Sequence, residues 1–191
     1  GGEISVKLLA DRLSSQGDTV IVYSFDSGTQ QQVDGVTVRR LWNASSGILE
    51  IANCYAAYGL RQYYTELKSL DVIHAYNVSL TPVTGCLSQK LAIPSVATLN
   101  SYDLLPKSAF GVTADLPRRL YELLAMRTTG RLLRQKVLNV SRFVTLSEAS
   151  KRIYSENGFT NKPIDVVPNM IDTSFSIPDV KKDSSKYSLL Y

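Results

Sequence analysis

The stretch 1–24, GGEISVKLLADRLSSQGDTVIVYS, decides the fold class, because it changes from a helical pattern to a strand pattern within a few residues. Apolar residues recur at helical spacing over residues 3–16, and Gly17 follows them where a helix commonly ends. Residues 19–25 form an almost continuous apolar run, which is typical of a parallel strand buried on both faces. The stretch therefore predicts a helix that leads directly into a strand of a parallel sheet.

Helical and strand patterns continue to alternate along the rest of the chain. We expect further strands at 36–41, 71–76, 94–100, 142–147 and 164–169. We expect helices at 48–68, 80–92, 116–139 (broken near Gly130) and 148–158, and loops at 26–35 and 101–115. This alternation predicts a Rossmann-like, doubly wound parallel sheet in a three-layer α/β/α arrangement, with ligands at the carboxyl ends of its strands.

The composition argues against several classes of protein. The chain has 191 residues, a formal net charge of +4 and one histidine. That charge is too small to indicate nucleic acid, and without a His/Cys cluster we expect no metal site built by the protein. No apolar run reaches the roughly 18 residues of a membrane-spanning helix. The two cysteines, Cys54 and Cys86, lie in apolar helical stretches and are expected to be buried thiols.

The glycine pair Gly1 and Gly2 stands directly before the first helix. Glycines let the backbone approach a ligand closely, and the free N–H groups of a helix start favour a phosphate or diphosphate. A plain tight turn is the simpler explanation of two glycines alone. The sequence contains neither a P-loop nor G-x-G-x-x-G, which argues against a phosphoryl-transfer NTPase and against an NAD-binding domain.

Five motifs, taken together and in order, resemble those of group 1 glycosyltransferases of sequence family four, which have the GT-B fold. They are GGEISVKLLADRLSSQGDTVIVYS (1–24), DVIHAYN (71–77), AIPSVATLNSYDLL (92–105), VTLSEASKRIYSENGF (144–159) and DVVPNMIDTSF (165–175). The resemblance implies transfer of a sugar, with retention, from a UDP- or GDP-type nucleotide sugar to an acceptor. It implies no cofactor and no metal ion, and a role in glycan, glycolipid or cell-surface polysaccharide synthesis.

The resemblance also implies a division of the chain. Residues 1–175 correspond to the N-terminal, acceptor-side domain, and residues 176–191 to a linker and the start of the second Rossmann domain. In the family a central strand precedes the glycine pair, so we expect that strand to be missing before Gly1. One candidate to replace it is the apolar segment 187–191, folded back or exchanged between molecules. Because the second domain holds the nucleotide sugar, we expect the 191-residue chain to be inactive alone.

The resemblance assigns roles to individual residues. Gly1 and Gly2 match the turn that contacts the donor phosphate, and Asn100 stands where the family usually has a histidine close to the transferred sugar. Asparagine cannot titrate, so Asn100 either hydrogen-bonds a sugar hydroxyl at the catalytic centre or only closes a strand-to-loop turn. Its presence also leaves open a non-catalytic relative that binds a glycan or a partner. The candidate acceptor-binding residues are Tyr76, Asn77, Tyr102 and Asp103.

Three further residues in these motifs have a structural interpretation. His74 matches a family histidine, and a core imidazole is the alternative that the surrounding apolar strand favours. Ser147 precedes a helix and is expected to cap it. Asn169 is expected to hold a turn near the domain junction.

The segment 107–142 contains eight basic and two acidic residues, interleaved with leucines. A basic amphipathic helix suits an anionic membrane surface or a lipid-phosphate acceptor, and an ordinary core-packed helix is the alternative. The candidate surface residues are Arg118, Arg119, Arg131 and Arg134. No aromatic residues alternate with the charges, so nucleic acid is not an expected partner. We expect a cytoplasmic protein, peripheral on the inner face of the membrane.

Overall fold

The computed structural model describes residues 2–26, 28–33, 35–41 and 48–170. These residues form an α/β structure in which parallel strands are flanked by helices, which confirms the predicted Rossmann-like fold class. Gly1, the expected linker and the segment 187–191 lie outside the described residues.

The elements alternate along the chain largely as predicted. The helices are α1 (Gly2–Ser15), α2 (Leu49–Leu60), α3 (Tyr64–Lys68), α4 (Thr81–Leu91), α5 (Leu116–Leu124), α6 (Thr129–Val137) and α7 (Glu148–Glu156). The strands are β1 (Ile21–Ser24), β2 (Gln31–Val33), β3 (Val36–Arg40), β4 (Ile73–Ala75), β5 (Ser95–Leu99), β6 (Arg142–Thr145) and β7 (Ile164–Val166). Short 3₁₀ turns lie at Arg61–Tyr63, Val78–Leu80 and Lys107–Phe110.

Strand β2 corrects the prediction that residues 26–35 form a loop. It pairs antiparallel with β3, with Val33 opposite Val36, so the two strands form a tight hairpin. Gly35 has a φ of +82°, which glycine adopts without a Cβ clash. The Asp-Gly pair at 34–35 is a hairpin signal in the sequence, but the residues before it are polar and lack the apolar alternation that predicts a strand.

Strands β4, β5, β6 and β7 form a four-stranded sheet, in that order and all parallel. Its core contains Phe143, Tyr154 and Phe159, whose rings pack edge to face with Phe159 in the middle, 5.4 Å and 5.0 Å from its neighbours. Helices α4 and α6 approach closely at Gly85, where a Cβ would overlap the Lys136 carbonyl. The parallel ladder brings the carboxyl ends of all four strands to one edge.

Strands β1, β3 and β2 form a separate three-stranded sheet, in that order. Within the described residues no ladder joins β1 to β4. All four residues of β1 are half-buried, so the prediction of a strand buried on both faces is wrong. A strand that is paired along one edge exposes the other edge to solvent.

A second core cluster packs α2, α3 and α4 together. It contains Leu41, Ala56, Leu60, Leu67 and Val83, with Tyr23 of β1 packed against it. This cluster connects the three-stranded sheet to the helices that cover the four-stranded sheet.

Cys54 and Cys86 are both exposed, so the prediction that they are buried thiols is wrong. Helix α2 buries Ala52, Ala56 and Leu60, and Cys54 lies on its opposite side. An apolar composition all round a helix does not by itself reveal which side faces the core.

Candidate functional site

Helix α1 begins at the carboxyl edge of the four-stranded sheet. Gly2 is exposed, and a Cβ placed on it would lie 4.0 Å from Asn100 Nδ2, immediately after β5. That distance is an ordinary van der Waals contact, so crowding within the described residues does not require glycine at this position. The start of α1 is therefore open, and it lies at the edge where ligands bind in parallel α/β sheets.

Three polar side chains meet beside this helix start. Asn100 Nδ2 donates a hydrogen bond of 2.9 Å to the Tyr76 carbonyl oxygen, and the Tyr76 hydroxyl donates one of 3.3 Å to Asn169 Oδ1. We call Gly2, Tyr76, Asn100 and Asn169 the carboxyl-edge cluster. It brings together the ends of β4, β5 and β7 and the start of α1.

The hydrogen bond to Tyr76 fixes the orientation of the Asn100 amide, because a carbonyl oxygen can only accept. Asn100 makes no other side-chain hydrogen bond within the part of the chain that the structure describes, and it is exposed. Its Oδ1 therefore remains free to accept a hydrogen bond from a ligand hydroxyl.

The other acceptor-binding candidates differ in how far their side chains are already hydrogen-bonded or packed within the protein. Asn77 Oδ1 accepts from Ser79 N at 3.0 Å and so caps the turn that follows. Tyr102 stacks on Phe110 at 4.8 Å, and its hydroxyl lies 3.0 Å from Ser150 Oγ. Asp103 is exposed and accepts from Ser101 Oγ at 2.7 Å. Asp103 therefore offers a carboxylate to solvent, whereas Tyr102 is held in the packed loop.

His74 lies on β4 with its ring partly open to solvent. Its Nε2 lies 2.8 Å from Thr98 Oγ1, and its ring centroid is 5.7 Å from that of Tyr76. The protein packed around the rest of the ring removes water from it and lowers the His74 pKa below its ordinary value. The imidazole is thus neutral near pH 7 and anchors β4 to β5.

Asn169 is a member of the cluster that the sequence patterns did not assign to the site. Its role in a turn stays a prediction, and in the structure its side chain lies against Tyr76. The available signal is its position three residues after the end of β7, because all the parallel strands end at the same edge. The expected cap at Ser147 is confirmed, since its Oγ accepts from Ser150 N at 3.2 Å.

The four arginines of the proposed anionic surface fall into two pairs. Arg118 Nε donates to Glu122 Oε1 at 2.9 Å, and Arg134 donates to the Asn157 carbonyl and lies over the Phe159 ring. Arg119 and Arg131 are exposed. Arg134 is also exposed, but its guanidinium and that of Arg118 contact other parts of the protein.

No group of three or more His, Cys, Asp or Glu side chains is arranged within the described residues to hold a metal ion. Nor does any helix there have the length and apolar character needed to cross a membrane.

A parallel sheet whose carboxyl edge carries the exposed start of a helix and exposed asparagine side chains is typical of a Rossmann-like ligand-binding domain. The family model described as Glycosyltransferase Family 4 matches residues 1–175, and the chain therefore belongs to that family. The resemblance to the N-terminal domain of group 1 glycosyltransferases is thereby confirmed. Among curated proteins, none matches the sequence. The chain is a glycosyltransferase domain, with a sugar donor and an acceptor as its substrates.

Proposed function

We propose that the chain is the acceptor-side domain of a retaining glycosyltransferase that uses a UDP- or GDP-type nucleotide sugar. The reaction belongs to glycan, glycolipid or cell-surface polysaccharide synthesis in the cytoplasm, at the inner face of the membrane. The observation that supports this is the open start of α1 beside Asn100 at the carboxyl edge of the sheet.

The start of α1 would stabilise the departing diphosphate. The first N–H groups of an α-helix have no partner within the helix, and the helix dipole favours negative charge beside them. Gly1 and Gly2 would let the diphosphate approach those groups, since neither has a Cβ. Such donors act where negative charge develops in the transition state, without a metal ion or another cofactor.

In the transfer, the bond between the anomeric carbon and the diphosphate oxygen breaks, and the acceptor hydroxyl oxygen bonds to that carbon on the same face. The hydroxyl proton passes to the departing diphosphate, because Asn100 cannot take it. Asn100 instead would accept a hydrogen bond from a hydroxyl of the transferred sugar and hold the ring in place. Its amide is oriented for this by the bond to the Tyr76 carbonyl.

The acceptor would bind along the loops that follow β4 and β5. Asp103 offers an exposed carboxylate to sugar hydroxyls, and Tyr76 and Asn77 lie at the end of β4. Tyr102 would shape the wall of this subsite through its stacked ring. The second Rossmann domain would close over the donor, so residues 1–191 alone are inactive in this proposal.

A non-catalytic relative that binds a glycan or a partner is the second candidate. Asn100 is the observation that favours it, because a titratable histidine is absent from that position. Activity decides between the two candidates.

The test is a donor-hydrolysis and transfer screen over several nucleotide sugars with a polypeptide that carries residues 1–191 and the second domain. We expect turnover with one donor, a loss of about tenfold to a hundredfold for Asn100→Ala, and smaller losses for Asn100→His. No turnover with any donor, together with glycan binding by the same polypeptide, would favour the non-catalytic binding protein. Transfer by residues 1–191 alone would contradict the proposed division of labour.

A further inference from the structure

Helix α5 exposes its apolar side to solvent. The exposed fractions of Leu116, Leu120, Leu123 and Leu124 are 69%, 50%, 49% and 64%. At about 100° per residue, these side chains fall within an arc of about 100° around the helix axis. We call these four residues the leucine stripe. A surface helix normally turns such a stripe toward the core.

The opposite side of α5 carries the polar residues and faces the protein. Arg118 and Glu122 pair there at 2.9 Å, and their side chains are 26% and 16% exposed. Glu122 Oε1 also accepts from Lys107 N at 2.9 Å. The Tyr121 hydroxyl donates to Glu50 Oε2 at 3.0 Å. Burying the leucine stripe would require rotation of the helix and would break all of these bonds.

The charges near the stripe that face solvent are mainly positive. Arg119 lies on α5 beside Leu123, Arg127 follows the helix, and Arg131 lies on α6; all three are exposed. Of the two acidic residues in 107–142, Glu122 is paired with Arg118, which leaves Asp115. A second copy of this surface would bring like charges together, whereas an anionic surface complements it.

We propose that the leucine stripe is the membrane-contacting surface of this protein, and that it inserts at the headgroup boundary of an anionic bilayer. Arg119, Arg127 and Arg131 contact the lipid phosphates, while Arg118 and Arg134 hold the protein side of the surface together. The helix lies parallel to the membrane plane, which is the arrangement that an apolar face flanked by cations favours. This inference rests on the peripheral location given in the proposed function and adds the surface that contacts the membrane. Vesicle binding is measured without sugar transfer, so the membrane contact and the transferase activity can each fail while the other holds.

The experiment is co-sedimentation of the chain with phosphatidylcholine vesicles, with and without phosphatidylglycerol. We expect binding to the anionic vesicles, and a loss of about tenfold or more in partitioning for Leu120→Gln/Leu124→Gln. Val72→Gln is the matched apolar control, because Val72 is 53% exposed and directly precedes β4, outside the leucine stripe. Arg119→Glu/Arg131→Glu should also weaken binding, whereas Arg152→Glu, at an exposed position on α7, should not.

Hydrogen exchange of the unmodified chain provides a second measurement that needs no variant to fold. Amides of residues 116–124 should exchange more slowly when anionic vesicles are added. Absence of binding at low salt overturns the proposal, as does binding that the leucine variants leave unchanged. Self-association without vesicles that Leu120→Gln/Leu124→Gln abolishes would assign the stripe to a second copy of the chain and would also overturn it.

Discussion

Strand β1 of the three-stranded sheet and β5 of the four-stranded sheet have similar apolar patterns, but the two sheets differ in how completely they are buried. In β5, Ala97 and Leu99 are at most 2% exposed, whereas β1 contains no buried residue and β2 is exposed throughout. Strand β5 has a ladder on both edges, and β1 is paired with β3 alone among the described residues. Burial of a strand therefore depends on its neighbours as much as on its own sequence.

Helix α1 is also less completely buried than helices α6 and α7. It buries Ser5 and Ala10, while Ile4 is 64% exposed in its first turn. In contrast, Val137 of α6 and Tyr154 of α7 are 0% exposed. The first turn of α1 is also exposed at Gly2, beside Asn100.

The largest expected effect is on the closely packed side, at Gly85. Gly85→Ala should lower the free energy of unfolding by about 3 kcal/mol, because its Cβ would lie against the Lys136 backbone, 2.9 Å from the carbonyl carbon. Urea denaturation measures this. Gly59→Ala in α2 is the matched control, since its Cβ would lie 3.7 Å from Leu41, and it should stabilise by about 0.5–1 kcal/mol. Similar effects of the two changes would contradict the close approach of α4 and α6.

The next effect concerns Asn53, which links α2 to the start of α4. Its Nδ2 donates to the Leu49 and Ser79 carbonyls at 2.9 and 2.7 Å, and its Oδ1 accepts from Val83 N at 2.9 Å. Asn53→Ala should cost about 2 kcal/mol, because buried partners lose their hydrogen bonds. Thermal denaturation measures the change, and the exposed Gln62→Ala should shift stability by less than about 0.5 kcal/mol. If the two variants unfold at the same temperature, the hydrogen bonds of Asn53 do not stabilise the contact between α2 and the start of α4.

A smaller effect is expected within the three-stranded sheet, where Glu66 of α3 binds Arg39 and Tyr23. Arg39 Nη2 donates to it at 2.8 Å and the Tyr23 hydroxyl at 2.6 Å. Glu66→Gln should cost about 1 kcal/mol, since charge-assisted bonds become neutral ones.

The bond from Arg39, followed by that from Tyr23, lowers the Glu66 pKa below its ordinary value. The contribution is therefore complete above the unfolded-state pKa of about 4.3 and is lost as pH falls through the folded-state pKa. Urea denaturation at pH 7 and at pH 3 measures it. An equal difference between Glu66→Gln and the unmodified chain at both pH values would exclude the ionised pair.

The smallest effect is the titration of His74, the one histidine of the sequence. Proton NMR should give an apparent pKa below about 6.5, which returns to that value in urea, because packing desolvates the ring in the folded protein. The unfolded chain binds more protons in this interval, so His74 should reduce stability as pH falls below about 6.5. A pKa above about 6.5 in the folded chain would show that the ring is stabilised in its charged form.

Much of the fold could be predicted from the sequence because the covered strands carry local apolar patterns of their own. The break between α5 and α6, expected near Gly130, falls at residues 125–128. Strand β2 could not be predicted from its polar residues, because the hairpin with β3 forms it. The partial exposure of β1 depends on which strand lies beside it, which no local pattern records.

The candidate site was predictable to a similar extent. The family resemblance assigns Gly2 and Asn100 to the site, and Tyr76 is a candidate because it lies at the end of a predicted strand; the structure brings the three together. Asn169 was missed because its contact with Tyr76 spans 93 positions of sequence. The direction of the leucine stripe was also unpredictable, since the inward side of α5 is set by Glu50 and Lys107, which lie outside the helix.

The most direct test of the account is Gly2→Ala in a polypeptide that carries residues 1–191 and the second domain, with Gly59→Ala as its helix control. The structure has room for a Cβ at Gly2, so the variant should unfold at the same temperature as the unmodified protein or higher. If the amides of α1 face the departing diphosphate, kcat/KM for the nucleotide sugar should fall by about a hundredfold, because the added methyl group displaces the donor. Full activity of a stably folded Gly2→Ala variant would contradict that claim.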